Sequence, residues 1–308
     1  MHTPLIQMSL LMASGIVWRI MKPLGLSAEQ TRTVLTTVVY YFFLPAMVLD
    51  VLWTAQIGLH SLQYTALATI TIVFGLAFFW MIGTFFKFER RCLGALLLAA
   101  VFPNVTYLGL PVLEQTFGSW ARSIVIQLDL FAISPLLFTL GIVVVRYYGK
   151  DTLNSPQSTW SYLNAPPFWA AGFAVILNLN GLASPVWLSG TLKLLSAAVV
   201  PLMLFSLGLA LSWHSMKFRN FPYILPVILV KLLLLPLFAI FLVDHLTLPA
   251  EHKAAAVMDL AMPSMVLGIV LCDRYQLDSA LYAMAVTVTT ALSLVTLPYW
   301  YQILMARF

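Results

Sequence analysis

LLAAVFPNVTYLGLPVLEQTFG, residues 97–118, has the hydropathy of a membrane span and the punctuation of a broken one. Pro103 removes a backbone donor and crowds the preceding turn. Asn104 carries an amide that hydrocarbon cannot satisfy. The apolar run that leads to Pro103 starts near residue 92, so a half-helix of about 16 Å precedes the break. The hydrocarbon layer is about 30 Å thick, which puts the break near the midplane. Irregular backbone at that depth is tolerated only where protein buries it or where it lines a wet cavity. The stretch therefore marks a cavity inside an all-α membrane protein.

The rest of the chain agrees with a membrane fold. Of 308 residues, 61% are hydrophobic and only 9% are charged, where soluble domains carry about 25%. Mean hydropathy is +0.94. Ten apolar stretches are long enough to be read as spans: about 4–21, 31–53, 61–86, 92–117, 121–146, 166–181, 188–213, 221–243, 252–273 and 279–305. The sixth is short. The first lacks a basic leader and is followed by Arg19 and Lys22, so it reads as a retained span and not a cleaved signal. Eleven of the 16 Lys and Arg residues fall in the loops after odd-numbered spans, against three on the other side. By the positive-inside rule those loops are cytosolic and both termini lie outside. The net charge of +5 is spread over these short loops, which excludes a nucleic-acid surface.

Other chemistry is thin. Cys92 and Cys272 end apolar segments on the cytosolic side, so no disulfide is expected. The five histidines show no HxxxH or HExxH spacing and read as interfacial residues. No metal site or cofactor is expected. Trp18, Trp53, Trp120, Trp160, Trp169, Trp187, Trp213 and Trp300 fall near span ends as an interfacial belt. There is no Walker A motif to couple ATP. Ser134 and Ser264 have no intramembrane histidine to activate them, which argues against an enzyme.

The break recurs. FLPAMVL at 43–49 in span 2 is similar to VVPLMLF at 199–205 in span 7, and VFPNVTYLGLPV at 101–112 in span 4 to AMPSMVLGIVL at 261–271 in span 9. The corresponding prolines lie at nearly one offset. A five-span unit used twice must enter the membrane from opposite sides, giving an inverted-topology repeat of the kind secondary carriers use. The expected organisation is a first repeat over 1–150, a cytosolic linker over 151–165 and a second, inverted repeat over 166–308, with spans 4 and 9 broken and crossing.

Each second half-span then presents helix amides near the midplane, close to Val105–Tyr107 and Ser264–Val266, where an anion is favoured. Candidate substrate-binding residues are Pro103, Asn104, Val105, Thr106 and Tyr107 from span 4, and Pro263, Ser264 and Met265 from span 9. Lys231, near the middle of span 8, must find a carboxylate, a helix C-terminus or an anionic substrate. Asp259, one turn before Pro263, and Asp129 in span 5 are candidates to carry a proton or to help hold sodium. Lys193 sits a few residues into span 7 and is expected to snorkel outward. Asp50 and Glu114 lie nearer the outer interface.

These residues bear a resemblance to the auxin efflux carrier family. It is carried by LPAMVLDV in span 2, PNVTYLGLPVLEQTFG in span 4, VKLLLLPLFAIF in span 8 and AMPSMVLGIVLCDRYQLDSALYAMAVTVTTALSLVTLPYW over spans 9 and 10. The resemblance implies ten spans in two inverted repeats with crossed broken helices 4 and 9, a fold shared with bile-acid and sodium/proton carriers. Plant members that export auxin often carry a long loop after span 5. The loop here is short, as in bacterial members associated with malonate, malate and other organic acids. Residue by residue, Pro103 and Asn104 match the span 4 crossing, Pro263 and Ser264 the span 9 crossing, and Lys231 the span 8 lysine. Val105 and Thr106 stand where bacterial members often have glycines, no asparagine follows Pro263 closely, and Asp259 is outside the family's pattern. The expected function is secondary active transport of a small organic anion through the inner membrane of a bacterium, coupled to protons or sodium. A passive channel or facilitator is the alternative. The expected partners are that anion and the lipid bilayer, and a homodimer is compatible with such a chain.

Overall fold

A computed structural model describes residues 2–55, 57–150, 166–211 and 220–308. The expected linker over 151–165, with Trp160, and Trp213 fall outside them. Every regular element among the described residues is a helix. Six are long and apolar enough to cross a membrane: α2 (Ala28–Trp53), α3 (Leu59–Phe85), α6 (Ala121–Tyr148), α8 (Val186–Ala210), α9 (Phe221–Val243) and α12 (Ser279–Arg307). Two are shorter, α1 (His2–Met21) and α7 (Pro166–Leu179). The remaining four come as two interrupted pairs. α4 (Arg90–Val101) is followed by α5 (105–117), and α10 (Ala250–Leu260) by α11 (Gly268–Arg274).

Proline placement shapes the long helices. Wide i→i+5 turns at Val39–Phe43, Val105–Gly109, Asp129–Ile133 and Val230–Leu234 each end two residues before a proline: Pro45, Pro111, Pro135 and Pro236. Proline lacks an N–H and its ring crowds the carbonyl four residues back. An extra residue in the preceding turn swings that carbonyl clear, and such turns favour functional sites. Asp129 and Lys231 both sit inside one. For Pro236 the freed carbonyl is that of Leu232, which accepts a hydrogen bond from Trp300 Nε1 at 2.8 Å. Trp300 is only 3% exposed, so it is a core donor and not the belt residue that its place near a span end suggests. Pro201 and Pro298 lie inside α8 and α12 without a wide turn.

Two bundles result, each drawing on both halves of the chain. In the first, α1 packs on α8, and α2 on α7 and α8. Gly15 and Gly208 let the α1 and α8 backbones touch: a Cβ on Gly208 would run into the Met12 carbonyl, and one on Gly15 into that of Phe205. Arg19 Nη1 donates to the Leu209 carbonyl at 2.8 Å, and the Asn178 amide caps the end of α2 through the carbonyls of Trp53 and Ala55, both at 2.8 Å. The second bundle gathers α3–α6 and α9–α12. There the half-helices that end at the breaks are enclosed. Every residue from 93 to 101 and from 254 to 260 is buried. A helix apolar all round belongs in such a place, and the alanines of RRCLGALLLAAV and AEHKAAAVMDL allow close approach.

Candidate functional site

The two interruptions meet. Pro103 and Ser264 form an isolated antiparallel bridge. The Asn104 amide donates to the Pro263 carbonyl at 2.8 Å, and the Met265 amide to the Phe102 carbonyl at 3.0 Å. The backbone groups that a broken helix strands are thus partly satisfied by the other broken helix. Pro103 and Pro263 act here as helix stops, and Val105 is a core residue at 0% exposure.

The second break is longer than its sequence suggests. Helix amides are expected at Ser264–Val266, yet α11 starts only at Gly268. Ser264 and Met265 are occupied instead by pairing across the crossing. Ser264 Oγ donates to the Ala99 carbonyl at 2.6 Å, its amide donates to Thr289 Oγ1 at 3.2 Å, and Tyr282 OH donates to the Met265 carbonyl at 2.6 Å.

Lys231 lies on the far side of the crossing. Its Nζ donates to the carbonyls of Val101 and Leu260, both at 3.3 Å. These are the last residues of α4 and α10. Each helix end carries about half a negative charge, so one ammonium balances both. Asp259 is fully buried within electrostatic reach of Lys231. Neither of its carboxylate oxygens has a hydrogen-bond partner among the described residues. Gly109 makes room for it, since a Cβ there would collide with Oδ1.

On the near side lies a cavity of about 100 Å³. Asn104, Thr106, Tyr107, Asp129 and Met265 line it. Asn104 is 1% exposed and its Nδ2 has no protein partner. Thr106 Oγ1 and Ser134 Oγ both donate to the Asp129 carboxylate, the latter at 2.6 Å. The first-turn amides of α5 have no acceptor within their own helix. Of the sequence candidates, Lys231, Asp259 and Ser264 do not line this cavity. Sequence reasoning missed Tyr40 and Met203, which close the cavity from the first bundle, and Ser134. Tyr40 had a signal, the wide turn before Pro45. Among the described residues no group of three or more His, Cys, Asp or Glu could hold a metal ion.

The family model described as membrane transport protein matches residues 1–161 and 152–301. The chain belongs to that membrane transport family, the auxin efflux carrier-like group. Its relatives span nearly its full length. An uncharacterized transporter of Methanothermobacter thermautotrophicus is 30% identical over 92% of this chain and 93% of its own. One of Methanocaldococcus jannaschii is 26% identical over 92% and 93%, and the uncharacterized transporter YfdV of Escherichia coli is 24% identical over 89% and 88%. A membrane transport protein needs a route through the bilayer that is closed at some point, and the small cavity beside the crossing meets that need.

Proposed function

We propose that the chain is a secondary carrier of small organic anions such as malonate, malate or an auxin-like acid. The observation that carries this reading is Asn104, a buried amide with a free donor facing a cavity where two interrupted helices cross. A carboxylate there accepts from Asn104 Nδ2 and from the first-turn amides of Val105–Tyr107. The volume of about 100 Å³ favours a compact acid. The cavity sits on the seam between bundles, with Tyr40 and Met203 on one side and Asn104 and Asp129 on the other. Sliding or rocking one bundle against the other therefore changes which face it opens to. Asp129 and Asp259 are the proposed carriers of a coupling proton or sodium ion.

The same reading covers the topology. The six long helices, the two shorter ones and the two interrupted pairs are ten spans, arranged as inverted repeats over 1–150 and 166–308 around the linker 151–165. The charge bias of the loops supports both termini outside, in the inner membrane of a bacterium.

Uptake of labelled malonate and malate into liposomes holding the full chain tests the proposal. Saturable flux driven by a proton, sodium or potential gradient, and lost in Asn104→Ala, is expected. No flux from a pool of organic acids under any gradient overturns it. Single-channel currents would replace the carrier with a passive facilitator.

A further inference from the structure

A second cavity opens at one end of the seam, the end that the loop charges assign to the outside. Its volume is about 560 Å³. Five helices supply its ionisable lining: Asp50 from α2, His60 from α3, Arg122 from α6, Lys193 from α8 and His252 from α10. The sequence leaves these histidines as scattered interfacial residues. The fold brings their rings to 6.1 Å between centroids.

This lining is built, not incidental. Tyr64 OH lies 2.7 Å from His252 Nδ1. The Trp120 ring stacks on His252 with centroids 5.0 Å apart and planes at 17°. Arg122 pairs with the Glu114 carboxylate and donates through Nη1 to Ser196 Oγ at 3.3 Å, which leaves its buried Nε without a protein partner. Gln127, 2% exposed, donates Nε2 to Ser123 Oγ at 2.8 Å and leaves Oε1 unpaired.

Charge decides what such a cavity holds. With both imidazoles neutral, Arg122 and Lys193 are offset by Glu114 and Asp50, and exposed Glu251 beside His252 adds a further negative charge. Histidine changes charge between pH 5 and 8, and protonation of His60 and His252 turns the balance positive. Further along the seam, Val48, Leu110, Val125 and Ile126 close around a void of about 10 Å³. Thr106 and Asp129 line that void and the central cavity alike.

We propose that this outer cavity is a capture site for small carboxylates, filled when His60 and His252 are protonated and standing in series with the central cavity behind an apolar constriction. Its place on a transport route rests on the carrier reading, but its occupancy does not. The test is malonate titration of the detergent-solubilised full chain, read by the part of the tryptophan emission that Trp120→Phe removes. Titrations at about pH 5.5 and 7.5 bracket the imidazole range. Half-saturation is expected at several-fold lower malonate at the acidic pH. The pH dependence disappears in the His60→Gln/His252→Gln double variant. Lys193→Gln, at an exposed position, weakens binding at both pH values and keeps the test readable should the double variant fail to fold. An emission that ignores malonate at acidic pH overturns the capture site, as does an unchanged pH dependence in the double variant. An intact response without any organic-acid flux in liposomes would sink the carrier reading and leave the capture site standing.

Discussion

The two interruptions look like copies of one device, yet they differ in what they leave open. At the first, Asn104 spends its backbone on Pro263 and keeps a side-chain donor free towards a cavity. At the second, Ser264 is closed in by Ala99 and Thr289, and the Met265 carbonyl by Tyr282. One break offers hydrogen bonds and the other consumes them. A repeated backbone feature can thus be divided into a binding half and a bracing half by the side chains that surround it. Lys231 belongs to both, because it holds the last carbonyl of each preceding half-helix.

The largest effect is expected where the halves are joined. Lys231→Met leaves Asp259 and two helix ends buried without their cation. Removing one partner of a buried charge pair costs about 3–5 kcal/mol, so thermal melting in detergent should fall steeply. A Lys231→Met/Asp259→Leu double variant should recover much of that loss. A single variant that melts like the unaltered chain would show that the ammonium does not join the two ends. Next comes Gly109→Ala, which forces a methyl against Asp259; overpacking of this kind costs about 1–3 kcal/mol. The loss should shrink in an Asp259→Ala background, and an additive cycle would contradict the contact.

Smaller still, and sharper for the comparison, is the pair Ser264→Ala and Asn104→Ala. Losing the Ser264 hydroxyl should cost about 1 kcal/mol of stability with flux retained. Asn104→Ala should barely move the melting point while abolishing flux. The reverse pattern would exchange the roles of the breaks. The smallest effect is expected away from both, at the exposed Arg307–Asp244 pair, 2.6 Å apart. The Arg307 hydrogen bond holds the Asp244 carboxyl below its ordinary range. A carboxylate lowered on folding stabilises above its unfolded pKa and loses that contribution as pH falls through the folded one. Arg307→Gln should raise the Asp244 titration midpoint, followed by carboxyl NMR, with little change in melting at neutral pH.

Much of this was readable before any coordinates. Pro103 and Asn104 in hydrocarbon announce a break because no solvent there can repair the backbone, and Pro263 repeats the signal. Lys231 had to find negative charge, and a helix C-terminus was among the partners expected for it. What stayed hidden depends on long-range geometry. Nothing local says that Ser264 will turn to Ala99, or that Trp300 will cross to Leu232. His60 and His252 lie in different halves, and only the fold puts them on one wall. The late start of α11 was also hidden, since cross-chain pairing of residues 264 and 265 competes with helix formation and wins.

The wide turns before Pro45, Pro111, Pro135 and Pro236 have a bearing on how this chain tolerates insertion and deletion. Each residue subtends about 100° around an α-helix, and each wide turn holds one residue more than regular winding would. Removing a single residue from 230–234 would restore ordinary pitch and rotate one part of α9 about its axis relative to the other by roughly a quarter-turn. The ammonium and the indole-bonded carbonyl, one residue apart in sequence, would no longer both reach their mates. A helical wheel drawn straight through any of these four places assigns the downstream residues to the wrong side, and an alignment that slips a gap into one changes the orientation of everything after it.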